Sequence, residues 1–192
     1  MRISHKYKFI YLATPKACSS SIREALNKYS CIRSKSNFVP YAHHGKLEWV
    51  KNDFKKNKWD WNSYYKFTSV RNPWDRMVSL WTFGKKINAI PDHFKTFESW
   101  ILSDHVWLNS HWGYDGYYRE INGDIAVDYV IKLESLQSDF KKVCKEINIP
   151  YKKIPRTNST KHKHYTKYYN EETRQIVAQK YVRDIEYFGY KF

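Results

Sequence analysis

Three strand-length runs, each followed by a break and then a helical pattern, limit what this chain can fold into. The runs are KFIYLA at residues 8–13, YKFTSV at residues 65–70 and IAVDYVIKL at residues 125–133. Apolar residues then recur at helical spacing after each run, from about residues 19, 73 and 134. Strands that alternate with helices predict an α/β fold with a parallel sheet flanked by helices. Ligands bind such sheets where the strands end, so the turns after the strands become the candidate site.

Composition limits the class of protein further. The chain has 192 residues and no linker-like segment, so we expect a single domain over residues 1–192. An aromatic content of 18% excludes a disordered chain. No signal peptide and no apolar run of membrane-spanning length is present, which predicts a cytoplasmic location. The 34 Lys and Arg against 19 Asp and Glu give a charge of +15. That charge indicates an anionic partner without choosing among nucleotide, nucleic acid, acidic polysaccharide and membrane.

The turn after the first strand is typical of an anion-binding loop. It reads, in order, Thr14, Pro15, Lys16, Ala17, Cys18, Ser19, Ser20 and Ser21. A strand-to-helix turn presents backbone N–H groups and the positive end of a helix dipole to a bound anion. Lys16 adds a charge and the serines add hydroxyls, although the glycines of a Walker loop are absent. The same residues also fit a solvated lysine and a helix capped through Ser21-x-x-Glu24.

The turn after the second strand carries a second candidate anion site. Arg71 ends the strand, and Ser79 follows eight positions later on the next helix. A guanidinium offers a planar fork of donors suited to phosphate, and serine offers a compact hydroxyl. The alternative is a structural Arg71 paired with Asp75 and a Ser79 that faces solvent.

Together, TPKACSSS and FTSVRNPWDRMVSLW resemble the phosphate-binding segments of the sulfotransferases that use 3′-phosphoadenosine-5′-phosphosulfate (PAPS). The resemblance continues through VDYVIKLESLQSDFKKVCKEINI and through the tail from TNSTKHKHYTKYYN onward, which is similar to the carbohydrate-type branch in bacteria and viruses. It implies a P-loop-like α/β domain. The chain departs from the family pattern at Ala17-Cys18, where many members carry Thr-Gly.

The resemblance also implies roles for individual residues. The 5′-phosphosulfate would be held by Lys16, Ala17, Cys18, Ser19, Ser20 and Ser21. Arg71 and Ser79 would hold the 3′-phosphate, and Lys161, in the basic segment 158–164, would close over the nucleotide. His44, or alternatively His43, matches the position of a catalytic base, and a histidine titrates in the range that such a base requires.

The reaction implied is sulfonyl transfer from PAPS to an acceptor hydroxyl, with a carbohydrate as the preferred acceptor and the bisphosphate PAP as product. Lys16 would stabilise the leaving phosphate, and no metal is expected. Trp100, Trp107, Trp112 and His111 are candidates to contact the acceptor, with core packing as the alternative for the tryptophans.

Two other classes of function remain as alternatives. A basic nucleic-acid-binding protein would account for the charge and the aromatic residues, but it leaves the placement of both turns after strands unexplained. A P-loop nucleotide kinase would need a glycine-rich loop and a magnesium ligand, and neither is present in the sequence. A nucleic-acid partner is therefore not expected, and the oligomeric state stays open.

Overall fold

The structure is a computed structural model, which describes residues 1–33, 44–109, 113–120, 122–155 and 163–192. The chain forms two compact units. The first unit comprises Met1–Val70 and Tyr114–Thr157, and the second comprises Arg71–Gly113 and Asn158–Phe192. None of the helices in the described part of the chain is long and apolar enough to cross a membrane.

The first unit contains a five-stranded sheet. Its strands are β1 (Arg2–Ser4), β2 (Phe9–Leu12), β3 (Ile32–Arg33), β4 (Tyr65–Val70) and β5 (Tyr129–Lys132), in the order β3-β1-β2-β4-β5. The three predicted strands, β2, β4 and β5, are parallel to one another, and the α/β class is confirmed. The short strands β1 and β3 were not predicted. Since β1 is antiparallel to both of its neighbours, the whole sheet is mixed.

Nine α-helices lie within the described ranges. They are α1 (Ser19–Leu26), α2 (Leu47–Lys56), α3 (Pro73–Lys86), α4 (Phe97–Ile101), α5 (Val106–Asn109), α6 (Asp115–Tyr118), α7 (Leu136–Glu146), α8 (Glu171–Lys180) and α9 (Val182–Phe188). The helices predicted after the three strands correspond to α1, α3 and α7. Two further helices, α8 and α9, follow near the end of the chain.

One face of the sheet in the first unit is packed against α1 and α7. Side chains alternate along a strand, so every second residue of β2 and β4 points to this face. The buried core there includes Phe9, Tyr11, Phe67, Ile131, Ile22, Leu26, Phe140 and Val143. Burying each such apolar side chain contributes about 1.5–3 kcal/mol. This packing sets where β2 ends and α1 begins, and therefore fixes the first turn.

The second unit is helical in the residues that the structure describes. Helix α3 contacts α8 and a 3₁₀ turn at Tyr165–Tyr168, and α4 contacts α8. The rings of Trp81, Phe97 and Trp100 pack together, and Trp100 is fully buried. Trp100 is therefore a core residue and does not line an acceptor cleft.

Candidate functional site

The backbone of the first turn has an unusual conformation. Lys16 and Cys18 both adopt left-handed conformations, with φ of 62° and 59°. Each costs a residue with a side chain about 1–2 kcal/mol relative to right-handed backbone. Left-handed residues alternating with ordinary ones turn successive N–H groups toward one side of a loop, and such concave loops bind anions. Lys16 and Cys18 therefore give the turn predicted to bind phosphosulfate a backbone of the kind found in such loops.

The start of helix α1 differs from the expectation from sequence. The predicted capping box from Ser21 to Glu24 is wrong, because the helix begins at Ser19 with Cys18 as its N-cap. The Cys18 side chain makes no capping hydrogen bond, and no acidic residue lies in the first turn. The helix dipole at this end therefore has no carboxylate of the first turn beside it, which suits an anionic ligand.

Arg23 lies beside this turn and was missed in the sequence. Its Nε donates to the carbonyl of Ser19 at 3.3 Å, and its Nη2 donates to the hydroxyl of Ser20 at 3.4 Å. A positive charge is thereby placed against two residues of the predicted anion loop. The spacing of three and four residues along a helix is the signal that would have indicated this contact.

Hydrogen bonds between side chains and strands hold the carboxyl ends of β2 and β4 together. The Thr68 hydroxyl donates to the carbonyl of Leu12 at 2.7 Å, and the Thr14 hydroxyl donates to the carbonyl of Ser69. The hydroxyls of Tyr11 and Ser69 are 2.8 Å apart. All of these side chains are buried, so leaving any partner unsatisfied would be costly. These buried hydrogen bonds therefore hold the strand end from which the turn after β2 begins.

His44 is bonded to that same strand end. Its Nδ1 lies 2.7 Å from the carbonyl oxygen of Ala13, and the next residue, Thr14, begins the turn that is predicted to bind an anion. A carbonyl only accepts, so Nδ1 must donate, and the neutral ring then carries its lone pair on Nε2. The Tyr117 hydroxyl also approaches the His44 carbonyl, at 3.5 Å. The structure thus brings His44 and the Lys16 turn together within the first unit.

The second turn belongs to the second unit. Asn72 caps helix α3, because its side-chain oxygen accepts from the N–H groups of Trp74 and Asp75, and Pro73 occupies the first helical turn. Asp75 binds the Arg71 guanidinium through both oxygens, at 2.7 and 2.6 Å. The ion pair between Arg71 and Asp75, which the structural alternative predicted, is therefore present.

The same alternative also predicted that Ser79 faces solvent. That prediction is wrong, because Ser79 is buried, with 5% of its surface exposed. The Arg71 side chain is 13% exposed, and its guanidinium is oriented by the Asp75 carboxylate. An oriented, largely buried guanidinium loses less side-chain entropy on binding a phosphate than a mobile one does.

Several predicted residues lie outside the described part of the chain. They are His43, Lys161, His111 and Trp112, together with the side chain of Trp107. Among the described residues, no group of three or more His, Cys, Asp or Glu side chains could hold a metal ion.

The fold of the first unit defines a class of protein, an α/β protein with a mixed five-stranded sheet flanked by helices. A family model described as the sulfotransferase family matches residues 1–191, which span both units. The chain therefore belongs to the sulfotransferase family, whose members are transferases.

Two individual proteins are similar to this chain. An uncharacterized protein from Archaeoglobus fulgidus is 29% identical over 124 residues, which cover 62% of this chain and 94% of the relative. The crystal structure of a sulfotransferase from Alicyclobacillus acidocaldarius aligns over 96% of this chain and 87% of its own, with 14% identity and a TM-score of 0.42.

Proposed function

We propose that this protein transfers a sulfonyl group from PAPS to a hydroxyl of a carbohydrate. Membership of the sulfotransferase family supports sulfonyl transfer as the reaction. PAPS as the donor, the carbohydrate acceptor, the cytoplasmic location and the single domain over residues 1–192 belong to the proposal. So do the roles given to individual residues.

We assign PAPS binding to the turns after β2 and β4. The support for each turn comes from contacts within its own unit. Lys16 and the turn through Ser21 hold the 5′-phosphosulfate, supported by the left-handed backbone and the uncapped start of α1. Arg71 and Ser79 hold the 3′-phosphate, supported by the orientation of the Arg71 fork. His43 and Lys161 keep the roles that the resemblance gives them, as alternative base and as a contact to the nucleotide.

The proposed chemistry needs a base and a cation. His44 takes the proton of the acceptor hydroxyl at Nε2 as the new O–S bond forms and the bond from sulfur to the phosphate oxygen breaks. Lys16 stabilises the negative charge that develops on that leaving oxygen. The PAPS sulfonyl group is already activated by its phosphate leaving group, so positioning and electrostatics supply most of the remaining acceleration.

The observation that carries this proposal is the hydrogen bond from His44 to Ala13. It fixes the tautomer that a base requires and does so at the residue before the anion loop. With Nδ1 engaged in this hydrogen bond, Nε2 is the nitrogen left to accept a proton.

The first test is thermal unfolding with PAP, with 5′-AMP and with ATP plus magnesium. A ligand present at about 100 times its dissociation constant stabilises the folded state by about 2.7 kcal/mol, which is a shift of several degrees. We expect a large shift with PAP, a smaller one with 5′-AMP, and no magnesium dependence. Stabilisation only by ATP with magnesium would favour a kinase, and stabilisation by oligonucleotides alone would favour nucleic-acid binding.

Matched variants locate the donor site. Lys16→Ala and Arg71→Ala should each weaken PAP binding by at least tenfold, because each removes a charged contact to a phosphate. Lys28→Ala removes a lysine just after α1, and Arg183→Ala removes an exposed arginine of α9. These controls should bind PAP like the wild type. The acceptor is then sought by incubating labelled PAPS with panels of neutral and acidic polysaccharides.

A further inference from the structure

The residue that caps helix α3 also bonds to the end of the chain. Asn72 uses its side-chain oxygen for the cap, and its Nδ2 donates to the carbonyl of Lys191 at 2.8 Å. The two residues are 119 positions apart in sequence. Because Asn72 is 8% exposed, both halves of its amide are engaged in a nearly dry environment.

Trp74, two residues further along, is held by the same part of the chain. Its indole Nε1 donates to the carbonyl of Arg174 at 3.0 Å, and its own carbonyl accepts from the Tyr169 hydroxyl at 2.9 Å. Burial raises the pKa of Tyr169 well above its usual value, so this hydroxyl keeps its proton. The start of α3, including its N-cap, is thus hydrogen-bonded at three points to residues between 169 and 191.

The Phe192 side chain packs against the same part of the chain, with 39% of its surface exposed. Its ring makes edge contacts with Trp74, Tyr165 and Tyr169, at centroid distances of 5.5, 5.6 and 5.5 Å. The Arg174 guanidinium lies 5.4 Å from the same ring. Aromatic pairs of this geometry contribute about 0.5–1.5 kcal/mol each beyond the area they bury.

We propose that Tyr169, Arg174, Lys191 and Phe192 form a C-terminal clasp that positions Arg71 for the 3′-phosphate. The clasp fixes Asn72 and Trp74, the cap of Asn72 fixes the backbone N–H of Asp75, and the Asp75 carboxylate orients the Arg71 guanidinium. This inference rests on the proposed function, because the role of Arg71 toward the 3′-phosphate belongs to it. The clasp residues act through Asn72 and Asp75, so they are positioning residues.

Two variants weaken the clasp with little change elsewhere. Asn72→Ser keeps an oxygen that can cap α3 but removes the donor to Lys191. Phe192→Ala removes the ring, and Phe192→Tyr restores it. Tyr187→Ala is the control, since it removes an exposed aromatic ring of α9 in the same unit.

The readout compares PAP with 5′-AMP, which differ only in the 3′-phosphate. We expect Asn72→Ser and Phe192→Ala to bind PAP about tenfold more weakly, as loss of one well-oriented charged contact predicts, with 5′-AMP binding unchanged. Phe192→Tyr and Tyr187→Ala should bind both ligands like the wild type. A general loss of stability would lower the unfolding temperature without removing the discrimination between the two ligands.

Amide hydrogen exchange gives a second readout that needs no nucleotide. In Phe192→Ala, the amides of Trp74 and Asp75 should exchange faster, while those in the middle of α7 stay unchanged. Wild-type protein that shows no preference for PAP would overturn the proposed function and the role of the clasp with it. A wild-type preference that both clasp variants retain would overturn the clasp alone, as would unchanged exchange at Trp74 and Asp75.

Discussion

Replacing His44 separates its bond to the strand from its proposed role as a base. In His44→Asn, the amide nitrogen stands where Nδ1 stands, so the donation to the Ala13 carbonyl is retained, and no group remains at the Nε2 position. In His44→Ala, both functions are lost. The pair of variants therefore differs in one hydrogen bond and shares the loss of the base.

The structure sets the expected size of each effect. Ala13 is fully buried, while His44 is half-buried, so water can partly replace the lost donor in His44→Ala. We expect a loss of about 1 kcal/mol, near the low end for an unsatisfied buried carbonyl. For a chain of this length that corresponds to a fall in Tm of about 2–4 °C. His44→Asn should stay close to the wild-type Tm.

Activity should respond differently from stability. A positioned general base contributes about 10²–10⁴-fold to the rate, so both variants should lose that much in single-turnover transfer from labelled PAPS at saturating donor. PAP affinity should not change, because His44 has no assigned contact to the nucleotide. If His44→Asn retained more than about a tenth of the wild-type rate, His44 would not be the base, and His43 would be replaced next. Equal unfolding temperatures for the two variants would refute the reasoning about the Ala13 carbonyl.

Three further predictions concern the loop, a buried carboxylate and the thiols. Cys18→Gly should raise Tm by about 2–4 °C, because glycine adopts the left-handed conformation without strain, whereas Ala17→Gly should lower Tm. Burial opposes ionisation of Asp139, but hydrogen bonds from two hydroxyls and a backbone N–H outweigh it and lower its pKa below 3.8. Asp139→Asn should therefore lower the free energy of unfolding in urea by about 1–3 kcal/mol near neutral pH. The difference from the wild type should shrink as the pH falls below about 4, because the wild-type carboxylate is then protonated. A difference that is independent of pH would contradict this. Burial raises the pKa of Cys144 to about 11, so a thiol reagent at about pH 8 should label the exposed Cys31 and spare Cys144 in the native protein, as mass spectrometry would show.

The sequence predicted the parts of the fold that depend on local pattern. The strand predicted at residues 65–70 matches β4 in full, because Tyr65, Phe67, Thr68 and Val70 are residue types that favour strands and Pro73 interrupts the pattern soon after. The turns after β2 and β4 were also identified, since Pro15 and Pro73 interrupt apolar patterns at their ends. Strands β1 and β3 were missed, because three and two residues are too few to show alternation.

The start of α1 shows where local pattern fails. Ser21 and Glu24 have the spacing of a capping box, yet the helix begins two residues earlier at Ser19. The packing of Ile22 and Leu26 against the sheet contributes more than a single cap, whose contribution is about 1 kcal/mol. Tertiary packing therefore decided the boundary.

The sequence by itself determined which residue types stand at the ends of the strands: a lysine and serines after β2, and an arginine with a spaced serine after β4. Only the tertiary structure decided which hydrogen bonds hold the strand ends and the turns that carry these residues. The His44 ring reaches a carbonyl 31 positions away, and Asn72 reaches one 119 positions away. Contacts at such separations leave no periodic signal in the chain, because they depend on how the elements pack and not on the spacing of neighbours along one helix or strand.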